Sequence, residues 1–85
     1  NAPNPFNPVT QIRFDLPAAG PVELTIYDML GQKVHTLLSS SLAAGSHQIE
    51  WNGRDASGMQ VSSGVYFYRL QAGGLTQMRS MMLLK

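Results

Sequence analysis

Two histidines and five carboxylates are the residues of this chain best suited to chemistry, and their spacing decides what they can do. His35 and His47 fall in different predicted strands, and neither has an acidic residue at the spacing of a metal site or a proton relay. Asp15, Glu23, Asp28, Glu50 and Asp55 occur singly. Glycoside hydrolysis needs two carboxyl groups flanking one bond, about 5–10 Å apart. A short sandwich has little room for such a cleft, so these acids read as solvated strand positions and turn caps. The stretch NGRDASG resembles a calcium loop in composition but lacks that loop's acidic spacing and distal Glu. Asn52 and Asp55 are the residues that would hold a Ca²⁺ ion there; side-chain-capped turns are the other reading. The serine runs SSS and SSG lack the strand–elbow–helix context of an activated nucleophile. With no cysteine, disulfides, Cys-ligated zinc and thiol catalysis are excluded. The expectation is a protein that is not an enzyme, with no catalytic residue, no cofactor and no metal beyond the calcium option.

The aromatic residues offer a different chemistry. Tyr27, Trp51, Tyr66, Phe67 and Tyr68 could form a platform on which sugars stack. Strand alternation sends Trp51, Tyr66 and Tyr68 inward instead, which leaves Tyr27, Phe67 and Phe6 as the exposed candidates.

The elements that must position these residues are strands. NAPNPFNP holds three prolines, each fixing φ and extending its predecessor, so residues 1–8 form an extended lead-in and residues 9–85 the domain. In TQIRFDL, Ile12, Phe14 and Leu16 alternate with polar residues, the pattern of a half-buried strand. VELTIYD repeats it through Val22, Leu24 and Ile26, and MLGQ then turns, with Gly31 at positive φ. KVHTLL is a further strand and SSSLAAG the longest loop candidate. SHQIEW places His47, Ile49 and Trp51 on one face, and MQV is a short edge strand after the turn-rich NGRDASG. GVYFYRLQ is strand by composition, and LTQMRSMMLLK follows a Gly73-Gly74 turn. Six or seven short strands spaced by about 10 residues predict an all-β antiparallel sandwich of about seven strands. In immunoglobulin-like sandwiches a tyrosine opens the penultimate strand and bonds back to upstream backbone. Tyr66 fits that corner, with Gly64 before it and Tyr68 and Leu70 continuing inward, while Phe67 and Arg69 take the other face. Trp51 is the central core aromatic, with Ile12, Phe14, Leu24, Ile26 and Ile49 around it.

Eighty-five residues make one domain with a modest core. Only 13% of them are charged, and the net charge of +1 includes no basic cluster. That excludes the electrostatic footprint of a nucleic-acid binder and of a polybasic membrane-surface protein. No apolar run is long enough to span a bilayer as a helix. The chain is expected to be a monomer, linked to a cargo or partner domain on its N-terminal side. The apolar run Met81, Met82, Leu83, Leu84 reaches almost to the last residue. Alternation leaves open whether Met81 and Leu83 or Met82 and Leu84 face inward, and the outer pair would form an apolar surface or edge for a receptor.

The stretches NPFNPVTQIRFDLP, VELTIYDMLGQKV and LAAGSHQIEWNGRDASGMQVSSGVYFYRL, with a terminus ending in Lys85, resemble the C-terminal sorting domain of type IX secretion cargo, type A group. That group is itself similar to the immunoglobulin-like domain of flagellar hook-capping proteins. The resemblance covers residues 3–85. It implies an immunoglobulin-like fold and a role as an address that takes a larger secreted protein through the periplasm, across the outer membrane and to the cell surface of Bacteroidetes-type bacteria. The implied partners are the type IX machinery and a surface sortase-like peptidase. The matching positions are Asn4, Pro5 and Phe6 at the entry, Asp28 and Gly31 in a D-x-x-G turn, and Gly64 and Tyr66. Arg79, Met81, Leu83 and Lys85 are the implied translocon-recognition residues. A carbohydrate-binding module beside an extracellular enzyme is the second reading, and a hook-cap-like scaffold working through protein contacts the third.

Overall fold

The structure, a computed structural model, describes residues 10–84. Six antiparallel strands and no helix make up these residues: β1 (Thr10–Leu16), β2 (Gly20–Tyr27), β3 (Lys33–Leu42), β4 (Gly45–Trp51), β5 (Gly64–Ala72) and β6 (Leu75–Leu83). They form two sheets, a ribbon of β1 and β4 and a four-stranded sheet in the order β3-β2-β5-β6. The all-β, immunoglobulin-like sandwich predicted above is the observed fold.

Period-2 patterning explains which face each strand buries. Ile12, Phe14 and Leu16 of β1 are buried, while Gln11, Arg13 and Asp15 between them are exposed. Val22, Leu24 and Ile26 of β2, Tyr66 and Leu70 of β5 and Leu83 of β6 close the core from the opposite sheet around Trp51, which is fully buried. Each fully buried Leu or Ile contributes about 1.5–3 kcal/mol, which makes this shared layer the main source of stability. Trp51 meets Tyr66 edge to face, with ring centroids 5.1 Å apart.

Several expectations need correction. MQV is not a strand, since it contributes only an isolated bridge between Arg54 and Gln60, and the described residues hold six strands, within the six or seven expected. SSSLAAG is mostly strand: β3 continues through Ser39, Ser40 and Ser41 to Leu42, since exposed serines suit the outer positions of a sheet edge. Tyr68 and Ile49 are partly rather than fully buried. A two-stranded ribbon is too narrow to roof four strands, so inward-pointing residues of the four-stranded sheet, Tyr68 among them, lose cover away from its axis. The same limit exposes Gln77 and Arg79, although they share the inward register of Met81 and Leu83. The lead-in at residues 1–8, with Phe6, lies outside the described residues, as does Lys85.

Candidate interaction surface

Most polar groups that might do chemistry are committed to local structure. In the loop after β2, the Asp28 carboxylate Oδ1 accepts hydrogen bonds from the N–H groups of Leu30 and Gln32, both at 2.9 Å. The Asp28 carbonyl accepts from Gly31 N–H at 3.0 Å, and Gly31 adopts φ 81°, a conformation costly for any residue with a Cβ. The loop after β4 repeats the device. Asp55 Oδ1 accepts from Ser57 N–H, Ser57 Oγ–H and Met59 N–H at 3.0, 2.7 and 3.0 Å, and Gly58 sits at φ 88°. These bonds, the Ser57 hydroxyl first and then the Met59 amide, hold the Asp55 carboxyl below its ordinary range. D-x-x-G therefore occurs twice, at Asp28–Gly31 and again at Asp55–Gly58. The capped-turn reading of Asp55 is the one the structure shows, and the DASG spacing makes that turn a second copy of the Asp28 device. The Asp55 side chain turns onto its own loop, and Asn52 is exposed. Among the described residues, no group of three or more His, Asp or Glu side chains could hold a metal ion.

The two loops lie together and are tied to the core. Ala56 N–H donates to Val34 O at 3.0 Å, and one shallow depression is lined by Asp28, Lys33, Asp55 and Ser57. Trp51 Nε1–H donates to Arg54 O at 3.0 Å, and Arg54 Nη1 donates to Gly58 O at 2.8 Å. Tyr66 makes the expected corner, its hydroxyl donating to Ser62 O at 2.6 Å. Burial, and secondarily the Asp28 carboxylate, raise the Tyr66 phenol above its ordinary value. His47 packs on Phe14, with ring centroids 5.6 Å apart, and its Nε2 lies 2.7 Å from Ala43 O; His35 stands apart on β3. The two histidines are not brought together.

The outer faces of the two sheets differ. On the ribbon, Gln48 Nε2–H donates to Gln11 Oε1 and Arg13 Nε–H donates to Gln48 Oε1, both at 2.8 Å. Ser46 Oγ–H donates to Asp15, and Gln11 reaches Glu50 at 3.4 Å, so this face is a ladder of mutually satisfied polar side chains. The outer face of the four-stranded sheet carries an apolar and aromatic patch among polar positions such as Glu23, Gln71 and Thr76. The registers of β2, β5 and β6 place Tyr27 beside Phe67, Phe67 beside Ser80, Arg69 beside Met78, and Val65 beside Met82. Met78 and Met82 are each 57% exposed. The Arg69 guanidinium lies over the Tyr27 ring, 5.1 Å from its centroid, and its buried Nε has no hydrogen-bond partner. This Arg–Tyr pair was not foreseen, since it depends on a pairing between strands far apart in sequence. Of the terminal residues singled out earlier, Leu83 is in the core, Met81 packs against it, and Arg79 is exposed.

A two-sheet antiparallel sandwich closed by a tyrosine corner, with Asp28 and Asp55 capping its loops, belongs to the class of immunoglobulin-like domains. The FlgD Ig-like domain family model matches residues 5–74, and the chain belongs to that family. A crystal structure of FlgD from P. aeruginosa is similar to it, with 25% sequence identity and a TM-score of 0.70 over 88% of this chain. The chain spans 58% of the length of that FlgD chain. No match was found among curated proteins. These findings bear out the hook-capping part of the resemblance and correct the rest. They point to a flagellar FlgD-type domain, so the type IX sorting signal, its secretion machinery and its sortase-like peptidase do not stand as this chain's function and partners. The carbohydrate-binding alternative gains no support from them either.

Proposed function

We propose that this chain is a non-catalytic assembly module of the flagellar hook-capping kind, acting through protein contacts and needing neither metal nor cofactor. The observation that carries the reading is membership of the FlgD Ig-like family across residues 5–74. The commitment of Asp28, Asp55, Trp51 and Tyr66 to capping and packing supports it, because their polar atoms are bonded within the domain. The outer face bearing Tyr27, Val65, Phe67 and Met78 is the contact surface in this reading, an apolar patch of the kind that marks interaction sites. FlgD extends beyond the part this chain matches. The module accordingly works as one domain of a longer protein, behind the proline-rich residues 1–8, and outside the cytoplasm.

The test is to remove the segment encoding residues 9–85 from the gene in its own bacterium and to examine the flagella by electron microscopy. Loss of completed hooks, with the remaining protein still produced, is the expected result. Hooks of normal number and length would overturn the reading.

A further inference from the structure

The free edge of β6 belongs to the longest unbroken strand pairing among the described residues. Natural sheets guard their edges with charges, prolines, bulges or brevity, since an unpaired row of N–H and C=O groups recruits another strand. The edge at β3 carries Lys33 and two register shifts against β2. The ribbon strands carry Arg13 and Asp15 on β1 and Glu50 on β4. The strand β6 is nine residues long, pairs with β5 in unbroken register, and contains a single charge, Arg79. Its outward side chains read Met78, Ser80, Met82, a sequence symmetric about Ser80.

We propose that β6 pairs antiparallel with β6 of a second copy of this chain, with Ser80 on the two-fold axis, joining the two four-stranded sheets into one. Two-fold pairing requires a strand to be complementary to its own reverse. With Ser80 opposite Ser80, each Met78 faces the other copy's Met82, and residues 77–83 of both copies are paired. The four methionines then form one apolar stripe that continues the patch around Phe67. Charge selects this register. Centring the axis on Arg79 would set two guanidinium groups directly opposite, an unfavourable cross-strand pair. The Ser80 axis instead places each Arg79 opposite the other copy's Met81. Area sets the strength. One strand edge and two methionines per copy fall short of the roughly 1,200 Å² typical of a stable interface, so the pair forms in the micromolar-to-millimolar range. The inference concerns the chain alone and holds whether or not the hook-capping reading does.

The chain has no cysteine, which makes cross-linking a direct test. Ser80→Cys in the full chain puts the two thiols face to face across the axis, within reach of a disulfide. Thr76→Cys, on the same face of the strand, puts its two thiols about 26 Å apart. Under mild oxidation Ser80→Cys is expected to form a disulfide dimer and Thr76→Cys to remain monomeric. Sedimentation equilibrium of the unaltered chain should show reversible dimerisation approaching millimolar concentration. Met82→Lys, with its fold verified by circular dichroism, should weaken the association by about tenfold or more. A chain that stays monomeric throughout this range, equal cross-linking of the two cysteine variants, or unchanged association of folded Met82→Lys would each overturn the proposal.

Discussion

The ribbon of β1 and β4 and the sheet of β3, β2, β5 and β6 bury the same core from opposite sides, yet they present different exteriors. The ribbon's outer side chains bond to one another, Arg13 to Gln48 and Gln48 to Gln11. The sheet's outer side chains include an apolar patch of Tyr27, Val65, Phe67, Met78 and Met82, with Arg69 held on the Tyr27 ring. A narrow ribbon has few neighbours to stabilise it, and its exposed polar ladder adds modest cross-strand support. The wider sheet is secured by its central strands β2 and β5, so its outer face is free to be apolar. The difference separates a face built for stability from one available for contact.

The most severe way to break the comparison is to remove the layer that both sheets share. Trp51→Ala should cost about 3–5 kcal/mol, enough to unfold a domain of marginal stability. Denaturant titration followed by far-ultraviolet circular dichroism measures it, and a normal midpoint would mean that the sheets do not depend on one another. Tyr66→Phe should cost about 1–2 kcal/mol, because Ser62 O loses its donor at a largely buried site. This variant also carries a pH signature. The Tyr66 phenol lies above 10.0 in the folded state, so the unfolded chain gives up that proton first. The contribution is full below the unfolded value of about 10 and is lost as pH rises through the folded value. Melts of the two proteins at rising alkaline pH should therefore converge.

Asp55→Asn tests the loop end in the opposite direction of pH. The folded carboxyl lies below 3.8, so its stabilisation is present above the unfolded pKa and disappears as pH falls through the folded one. The variant should be less stable than the parent at neutral pH and should approach it in acid, as thermal melts across the acid range would reveal. On the ribbon, Gln48→Ala should cost about 0.5–1 kcal/mol by removing two side-chain bonds of the ladder. On the sheet, Met78→Thr should change stability by no more than about 0.5 kcal/mol, since the side chain is exposed and threonine suits a strand. Equilibrium unfolding of these last two variants side by side sharpens the contrast. A larger loss for Met78→Thr than for Gln48→Ala would make the apolar face structural rather than available.

Local physics made much of the molecule legible. Alternation in TQIRFDL and VELTIYD identified β1 and β2 and their buried residues, because a strand's two faces are written at a period of two. Prolines, glycines and the Asp28-x-x-Gly31 spacing marked the turns, and GVYFY marked the tyrosine corner, since each device acts within a few residues. The family resemblance held for the fold and for its hook-capping side. It failed as a guide to function, because an immunoglobulin-like scaffold serves many tasks and its motifs encode packing.

The tertiary structure decided what depends on partners distant in sequence. Alternation could not choose between Met81 with Leu83 and Met82 with Leu84; pairing with β5 beneath the ribbon set Leu83 in the core and left Met82 and Leu84 exposed. The narrowness of the ribbon determined that Tyr68 is only partly covered and that Arg79 is exposed, which no strand's own pattern encodes. The register between β2 and β5 brought Arg69 over Tyr27, and the order β3-β2-β5-β6 left β6 as an edge among the described residues. Sequence patterning determines which residues prefer burial. Which of them obtain it depends on where the opposing sheet ends, and that is fixed only when the two sheets pack.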